Sequence, residues 1–241
     1  MIPKHTFHVF PPVVGDRVDL PEREAQHARR VLRLRPGDGV CLVDGLGNRF
    51  VCALDDVTAK AVRARIVERE ALPRALPRRV TIGAALLKNA GRFETMLEKV
   101  AELGGDAVVP LLTERAERTR FRLDRAESIL VGAMKQSGSA WLTRIVDPEP
   151  LSQFIGGAPE HALRLICHEA ADPKQGLVAQ LLAHPDQDVI VAVGPEGGFS
   201  EEEIGLAQEA GFQVCSLGPT RLRAETASMA AMATIAQVSH A

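Results

Sequence analysis

Four short strings in this 241-residue chain combine residue types able to grip a ligand. They are Lys88-Asn89-Ala90-Gly91-Arg92, His168-Glu169, Gly194-Pro195-Glu196-Gly197-Gly198-Phe199-Ser200, and Leu217-Gly218-Pro219-Thr220-Arg221-Leu222-Arg223-Ala224-Glu225-Thr226-Ala227. In the third, Ser200 followed by Glu203 has the spacing of a capping box, so a glycine-rich turn leads into a helix. A phosphate cradle is a poor reading of that turn. It carries Glu196, lacks the Walker lysine, departs from GxGxxG spacing and opens its helix on Glu201, Glu202 and Glu203. Paired glycines beside a carboxylate fit a neutral or cationic ligand that needs close backbone approach, and a side chain at Gly197 is expected to find no room. The alternative on this loop alone is a strand-to-helix turn that holds nothing. The fourth string brings Arg221 and Arg223 to the start of the last helix, where two cations meet the acidic loop. No GxSxG elbow occurs, and the seven histidines are scattered, which disfavours a serine hydrolase and a metal site. His168 reads as a structural residue or a ligand neighbour rather than a general base.

The elements around these strings must bring them to one place. Residues 80–86, 107–111, 163–168, 189–193 and 214–217 read as strands, and 92–103, 124–137, 176–182, 200–210 and 225–238 as helices. Alternation of this kind gives an α/β fold with a largely parallel sheet covered on both faces, whose ligands sit at the carboxyl ends of the strands. Upstream, strands at 6–10, 40–43, 50–54 and 61–66 surround one helix at 21–34, with Asp44-Gly45-Leu46-Gly47-Asn48 as a hairpin turn. On that helix Ala28, Val31 and Leu32 are expected to face a core, while Arg23, Arg29, Arg30, Arg33 and Arg35 crowd the rest of its surface. The segment 71–79, with two prolines and three arginines, reads as a linker.

Composition narrows the function. Hydrophobic residues make up 46% and charged residues 25% of the chain, which excludes disorder, and no apolar run is long enough to span a membrane. The start lacks the features of a signal peptide, so a cytoplasmic protein is expected. Cys41, Cys52, Cys167 and Cys215 lie far apart, which argues against a disulfide framework. With no Tyr and one Trp, a surface that stacks successive bases is disfavoured. The net charge of −2 hides an asymmetry: residues 1–79 carry 15 basic against 10 acidic residues, and 151–241 carry 4 against 11. A basic front half suits contact with a polyanion; ordinary solvated charge is the competing explanation.

The ordered set of strings resembles the 16S ribosomal RNA (uracil-N3) methyltransferase family. Gly194-Pro195-Glu196-Gly197-Gly198-Phe199-Ser200-x-x-Glu203 and Leu217-Gly218-x-x-Arg221-Leu222-Arg223-x-Glu225-Thr226-Ala227 carry the resemblance at the back of the chain. Lys99-x-x-Glu102-Leu103-Gly104, Pro110-x-x-Thr113-Glu114-Arg115 and Gln26-His27-x-x-Arg30-Val31-Leu32-Arg33 with Gly37-Asp38 carry it further forward. The resemblance implies a PUA-like β-barrel over 1–72 for RNA, a linker at 73–79 and a SPOUT domain over 80–241 with a deep trefoil knot. It further implies a homodimer, small-subunit ribosomal RNA or the assembled subunit as partner, no membrane and no metal. S-adenosylmethionine would sit against Ile166, Cys167, His168, Gly194, Glu196, Gly197, Gly198, Leu217, Gly218, Leu222, Thr226 and Ala227. The chain departs from the pattern at Ser139, where relatives usually carry arginine, and at 88–92, which lacks an acidic residue before Arg92.

Methylation at uracil N3 needs a site that favours the uracil anion, because N3 has no free in-plane lone pair until its proton leaves. A cation beside the ring oxygens and a proton acceptor meet that need. Arg221 and Arg223 are the candidate cations, and Glu225 or Glu196 the candidate acceptor; phosphate binding by the arginines and helix capping by Glu225 are the structural alternatives. Arg23, Arg29, Arg30, Arg33, Lys88, Arg92, Arg115 and Arg118 are the candidate RNA contacts. A non-catalytic RNA-binding assembly factor, or a methyltransferase of the same fold with another RNA target, are the rival functions.

Overall fold

The computed structural model describes residues 3–117, 120–169, 171, 172, 174 and 176–240. The chain divides into two compact units, one of residues 1–74 with 131–142 and the other of 75–130 with 143–241.

In the first unit β1 (Thr6–His8), β3 (Gly39–Val43), β4 (Asn48–Val57), β5 (Val62–Ala71) and β2 (Arg17–Asp19) form one sheet in that spatial order. Alternate residues of β4 point inward, so Phe50, Cys52 and Leu54 join Phe7, Leu42, Val62 and Ala64 in the core. The hairpin turn is where the sequence placed it. Asp44 closes it by accepting from the backbone N–H of Leu46 and Asn48, at 2.8 and 3.1 Å.

The helix expected over 21–34 is shorter and irregular. It is α1 (Glu22–Gln26) followed by a π-helical turn, His27–Val31, and Leu34 N–H donates to the carbonyl of Ala28. Widening the turn shifts the phase of the side chains. Ala28 stays buried and Leu32 packs on the core, but Val31 is 67% exposed, contrary to the helical reading. Arg33 then adopts φ 56°, and the helix cannot continue.

The expected linker carries no regular structure from 72 to 79. Leu76 and Arg78 are buried, and Arg78 donates to the carbonyls of His184 and Pro185. Arg74 stacks over the Trp141 ring, 3.9 Å from its centroid.

The second unit is the α/β part. Its sheet runs β12 (Gln213–Cys215), β10 (Leu163–Cys167), β11 (Val189–Val193), β6 (Val80–Ala85), β7 (Ala107–Leu112) and β8 (Arg144–Ile145), with β9 (Glu149–Pro150) also on β7. Every strand pair described in this sheet is parallel. The five residues of β11 are all buried, as a strand covered on both faces should be. Around the sheet lie α2 (Ala90–Glu102), α4 (Leu151–Gly156), α5 (Leu177–Ala183), α6 (Glu201–Glu209) and α7 (Ala224–Val238), while α3 (Leu123–Ser137) belongs to this unit through its first half. No helix among the described residues is long and apolar enough to cross a membrane.

Candidate active site

Three adjacent parallel strands, β12, β10 and β11, end at one edge of the sheet, and the loops leaving them enclose a cavity of about 530 Å³. After β10 the wall is Cys167, His168 and Glu169; after β11 it is the segment from Val193 to Phe199; after β12 it is Leu217 to Ala224, with Ala227 one turn into α7. This is the edge at which open parallel sheets bind ligands.

The 194–200 loop has its own internal logic. Gly198 N–H donates to the Pro195 carbonyl at 2.9 Å, a turn that leaves Gly198 at φ 69°. A Cβ on Gly194 would lie 3.1 Å from the Phe199 nitrogen, so the loop returns against its own start only because residue 194 has no side chain. At Gly197, in contrast, a Cβ would meet only the Arg115 side chain at 3.4 and 3.5 Å. The tight position is therefore Gly194, not Gly197. The capping box is complete: Glu203 N–H donates to Ser200 Oγ at 3.2 Å, and Ser200 N–H donates to Glu203 Oε2 at 2.9 Å.

The structure sorts the residues singled out from the sequence. Of the twelve candidate cofactor contacts, Ile166 is fully buried in the core and Thr226 is exposed away from the cavity; the other ten line it. Arg221 and Arg223 both line it. Glu225 does not. Its side chain is 11% exposed, Oε1 lies 3.5 Å from Nε of Arg92, and Oε2 has no hydrogen-bond partner among the described residues. Glu225 lies in the first turn of α7, whose N-cap Arg223 makes no side-chain capping bond.

The candidate RNA contacts are dispersed. Arg115 lines the cavity, Lys88 pairs with Glu117 at 2.8 Å, and Arg92 faces Glu225. Arg118 lies outside the described residues. In the first unit Arg23, Arg30 and Arg33 are exposed, whereas Arg29 donates to the Thr58 carbonyl at 2.6 Å and buries its Nε. Ser139, where an arginine was expected from the resemblance, accepts from Trp141 N–H at 3.0 Å and so shapes a local turn.

Several wall residues were not named as contacts: Glu169, Val193, Pro195, Phe199, Pro219, Thr220 and Ala224. All but Val193 lie inside the four strings, and contiguity within a loop was the signal that could have found them. Charge is unevenly distributed along the wall. Arg221 Nε is 3.0 Å from Glu169 Oε2, while the Arg223 side chain makes no hydrogen bond or ion pair among the described residues. Cys167 stands opposite Cys215 in the β10–β12 register. Its hydrogen bond with the Cys215 thiol, followed by burial, pushes its own thiol well above the ordinary range. A protonated thiol is a poor nucleophile, so Cys167 contributes shape rather than chemistry to the wall.

The family described as RNA methyltransferase domain matches residues 74–236, and an RNA methyltransferase PUA domain matches 20–67. The chain belongs to the RNA methyltransferase family. Ribosomal RNA small subunit methyltransferase E of Synechocystis is 35% identical over 227 residues, covering 92% of this chain and 74% of that protein. A crystal structure of the Neisseria gonorrhoeae protein of the same name, bound to S-adenosyl methionine, superposes with a TM-score of 0.86 at 30% identity, over 97% of this chain and 96% of that one. A probable rRNA-methyltransferase from Porphyromonas gingivalis matches with a TM-score of 0.86 at 35% identity, over 98% of both chains. The resemblance read from the ordered strings thus holds, as do the parallel α/β sheet and the PUA-like domain at the front of this RNA methyltransferase.

Proposed function

We propose that this RNA methyltransferase transfers a methyl group from S-adenosylmethionine to N3 of a uridine in 16S ribosomal RNA. The observation that carries the proposal is the cavity at the β12, β10 and β11 ends, built from the same strings that carry the resemblance. Its residues suit that cofactor. Volume lies in the range of small-molecule pockets, the wall mixes apolar Val193, Phe199, Leu217 and Leu222 with glycine backbone, and Glu196 offers negative charge toward a sulfonium.

When bound, the cofactor supplies an electrophilic methyl group. The chain must supply an acceptor nitrogen with a free lone pair. Arg223, whose side chain has no ion pair among the described residues and which lines the cavity wall, is the group best placed to stabilise the negative charge that spreads over the uracil oxygens as N3 loses its proton. Arg221 shares its charge with Glu169 and is the weaker candidate. Glu225 faces Arg92 behind the cavity wall, which leaves Glu196 or water as the proton acceptor.

Substrate delivery falls to the exposed arginines of the PUA-like domain, with domain limits of 1–72, 73–79 and 80–241. Insertion of β11 between β6 and β10 supports a knotted path at the C-terminus. The half-buried, uncharged positions Ala227, Met229, Ala230 and Ala233 of α7 support a homodimer packed on that helix. A ribosomal RNA substrate supports a cytoplasmic location.

The test is to map modified nucleotides of 16S ribosomal RNA in a strain lacking the gene, using mass spectrometry and reverse-transcription stops. One N3-methyluridine should disappear and return with the purified enzyme and S-adenosylmethionine. An unchanged 16S pattern with a methyl group missing from another RNA would overturn the substrate.

A further inference from the structure

Arg115 was expected to touch RNA, yet its recorded bonds lead into the cavity wall. One terminal nitrogen, Nη1, donates to the carbonyl of Gly197 at 3.0 Å and to that of Phe199 at 3.2 Å. The same short segment is fixed a second time, because Glu114 N–H donates to Glu203 Oε1 at 2.9 Å, and Glu203 is the residue whose other oxygen receives Ser200 N–H. Two adjacent residues after β7 therefore grip both the loop after β11 and the first turn of α6.

We propose that Arg115 is a positioning residue for the methyl donor, holding the 197–199 backbone in its binding shape before the donor arrives. The inference rests on the reading of this cavity as the S-adenosylmethionine site.

Three observations point the same way. The loop's own bonding is sparse between the Gly198–Pro195 turn and the Ser200 cap, and the two carbonyls on either side of residue 198 are the ones Arg115 holds. A guanidinium is always charged and offers several donors in a rigid plane, so its bonds to carbonyl oxygens are stronger than neutral ones. Gly197 packs against the Arg115 stem, where a Cβ would come within 3.4 Å of it, so the side chain braces the loop along its length as well as at its tip. Orienting two carbonyls in advance removes part of the ordering cost that binding would otherwise carry. Arg115 is itself exposed, so replacing it leaves the core of the unit intact.

The experiment compares the parent with Arg115→Met and Arg115→Lys, using the full-length protein. Methionine keeps much of the stem and removes the donors; lysine keeps the charge but not the planar fork. S-adenosylmethionine affinity is read by calorimetry, and exchange of the 195–200 backbone amides by mass spectrometry without ligand. RNA affinity is read as a function of salt. Arg115→Met should weaken S-adenosylmethionine binding roughly ten- to hundredfold, as expected for two charge-assisted bonds. It should also accelerate exchange of the loop while leaving the slope of RNA affinity against salt unchanged. Arg115→Lys should fall between Met and the parent. Unchanged cofactor affinity and loop exchange, with weaker RNA binding and a shallower salt slope, would make Arg115 a phosphate contact and overturn the proposal. A parent that fails to bind S-adenosylmethionine would instead refute the cofactor assignment; loop exchange in ligand-free protein then still decides whether Arg115 holds the loop.

Discussion

Arg221 and Arg223 are two positions apart on one loop, but among the described residues only Arg221 has a counter-charge. The Arg221–Glu169 pair is exposed on both sides, 70% and 60%, so it contributes little to stability while still placing a negative charge beside the guanidinium. Arg223→Ala should therefore cost turnover, by roughly 10²-fold on the scale of a lost oxyanion donor, with little change in S-adenosylmethionine or RNA affinity. Raising the pH should recover part of that loss, because more uracil is then deprotonated without help. Single-turnover methylation at saturating RNA and cofactor, followed across pH, checks both statements; parental rates with weaker RNA binding would make Arg223 a phosphate contact. At this scale the sequence was informative about which loops build the wall, since residue type and loop contiguity are local properties. It misled at Glu225 and Gly197. Whether a carboxylate in the first turn of α7 reaches the cavity or turns toward Arg92 on α2 depends on the packing of two helices, which no local string encodes.

At the scale of elements, long periodic segments were legible and several of the short ones were not. The helix over 92–103 and the strand over 189–193 carry enough periodicity or apolar length to announce themselves, and they appear as α2 and β11 with ends shifted by two residues or fewer. The two-residue strands β8 and β9, the three-residue β2 and the six-residue α4 are too short for any period to show; they form because β7, β5 and the core offer them partners. The π-helical turn after α1 was hidden for another reason, since its spacing mimics an α-helix until the phase slips at Val31.

One element-scale contact reports on pH. His8 of β1 is buried, and loss of water around the cation lowers its pKa below the ordinary 6.5; Lys135 adds to this, while Glu24 and Asp44 oppose it. A histidine with a depressed folded-state pKa binds fewer protons when folded than when unfolded, so stability is full above about pH 6.5 and falls as the pH drops toward the lower value. Urea unfolding at pH 7.5 and 5.5 should show the parent losing more stability between the two than His8→Gln does. Equal losses would mean that His8 is not the sensor.

Across the whole molecule, the charge asymmetry between front and back fits the proposed division of labour between an RNA-holding domain and a cofactor-holding one. Structure refines which arginines serve it. Arg29 is committed to the Thr58 carbonyl, and Arg78 to two carbonyls of its own unit, so neither is a good phosphate contact. Arg30 and Arg33 are exposed on either side of the bare Val31. Replacing both with alanine should shallow the log–log dependence of RNA affinity on salt by about 0.7 per lost single-strand contact, leaving S-adenosylmethionine affinity alone. An unchanged slope would move the RNA surface to other residues.

The position of β11 also bears on how the chain reaches this structure. Its neighbours β6 and β10 both precede it in sequence, and Arg79 next to β6 bonds to Asp188 next to β11 across a separation of 109 residues. A growing chain thus leaves one edge of β6 open and β10 without a strand partner until β11 has emerged, and β12 and α7 must follow before the cavity exists at all. Contacts of such long range are slow to form, and open strand edges invite association with other chains. Nascent chains that stop short of residue 189 therefore carry the exposed edges of an unfinished sheet, which makes them natural clients for chaperones or proteases. Losing the last quarter of the chain leaves no smaller working enzyme behind.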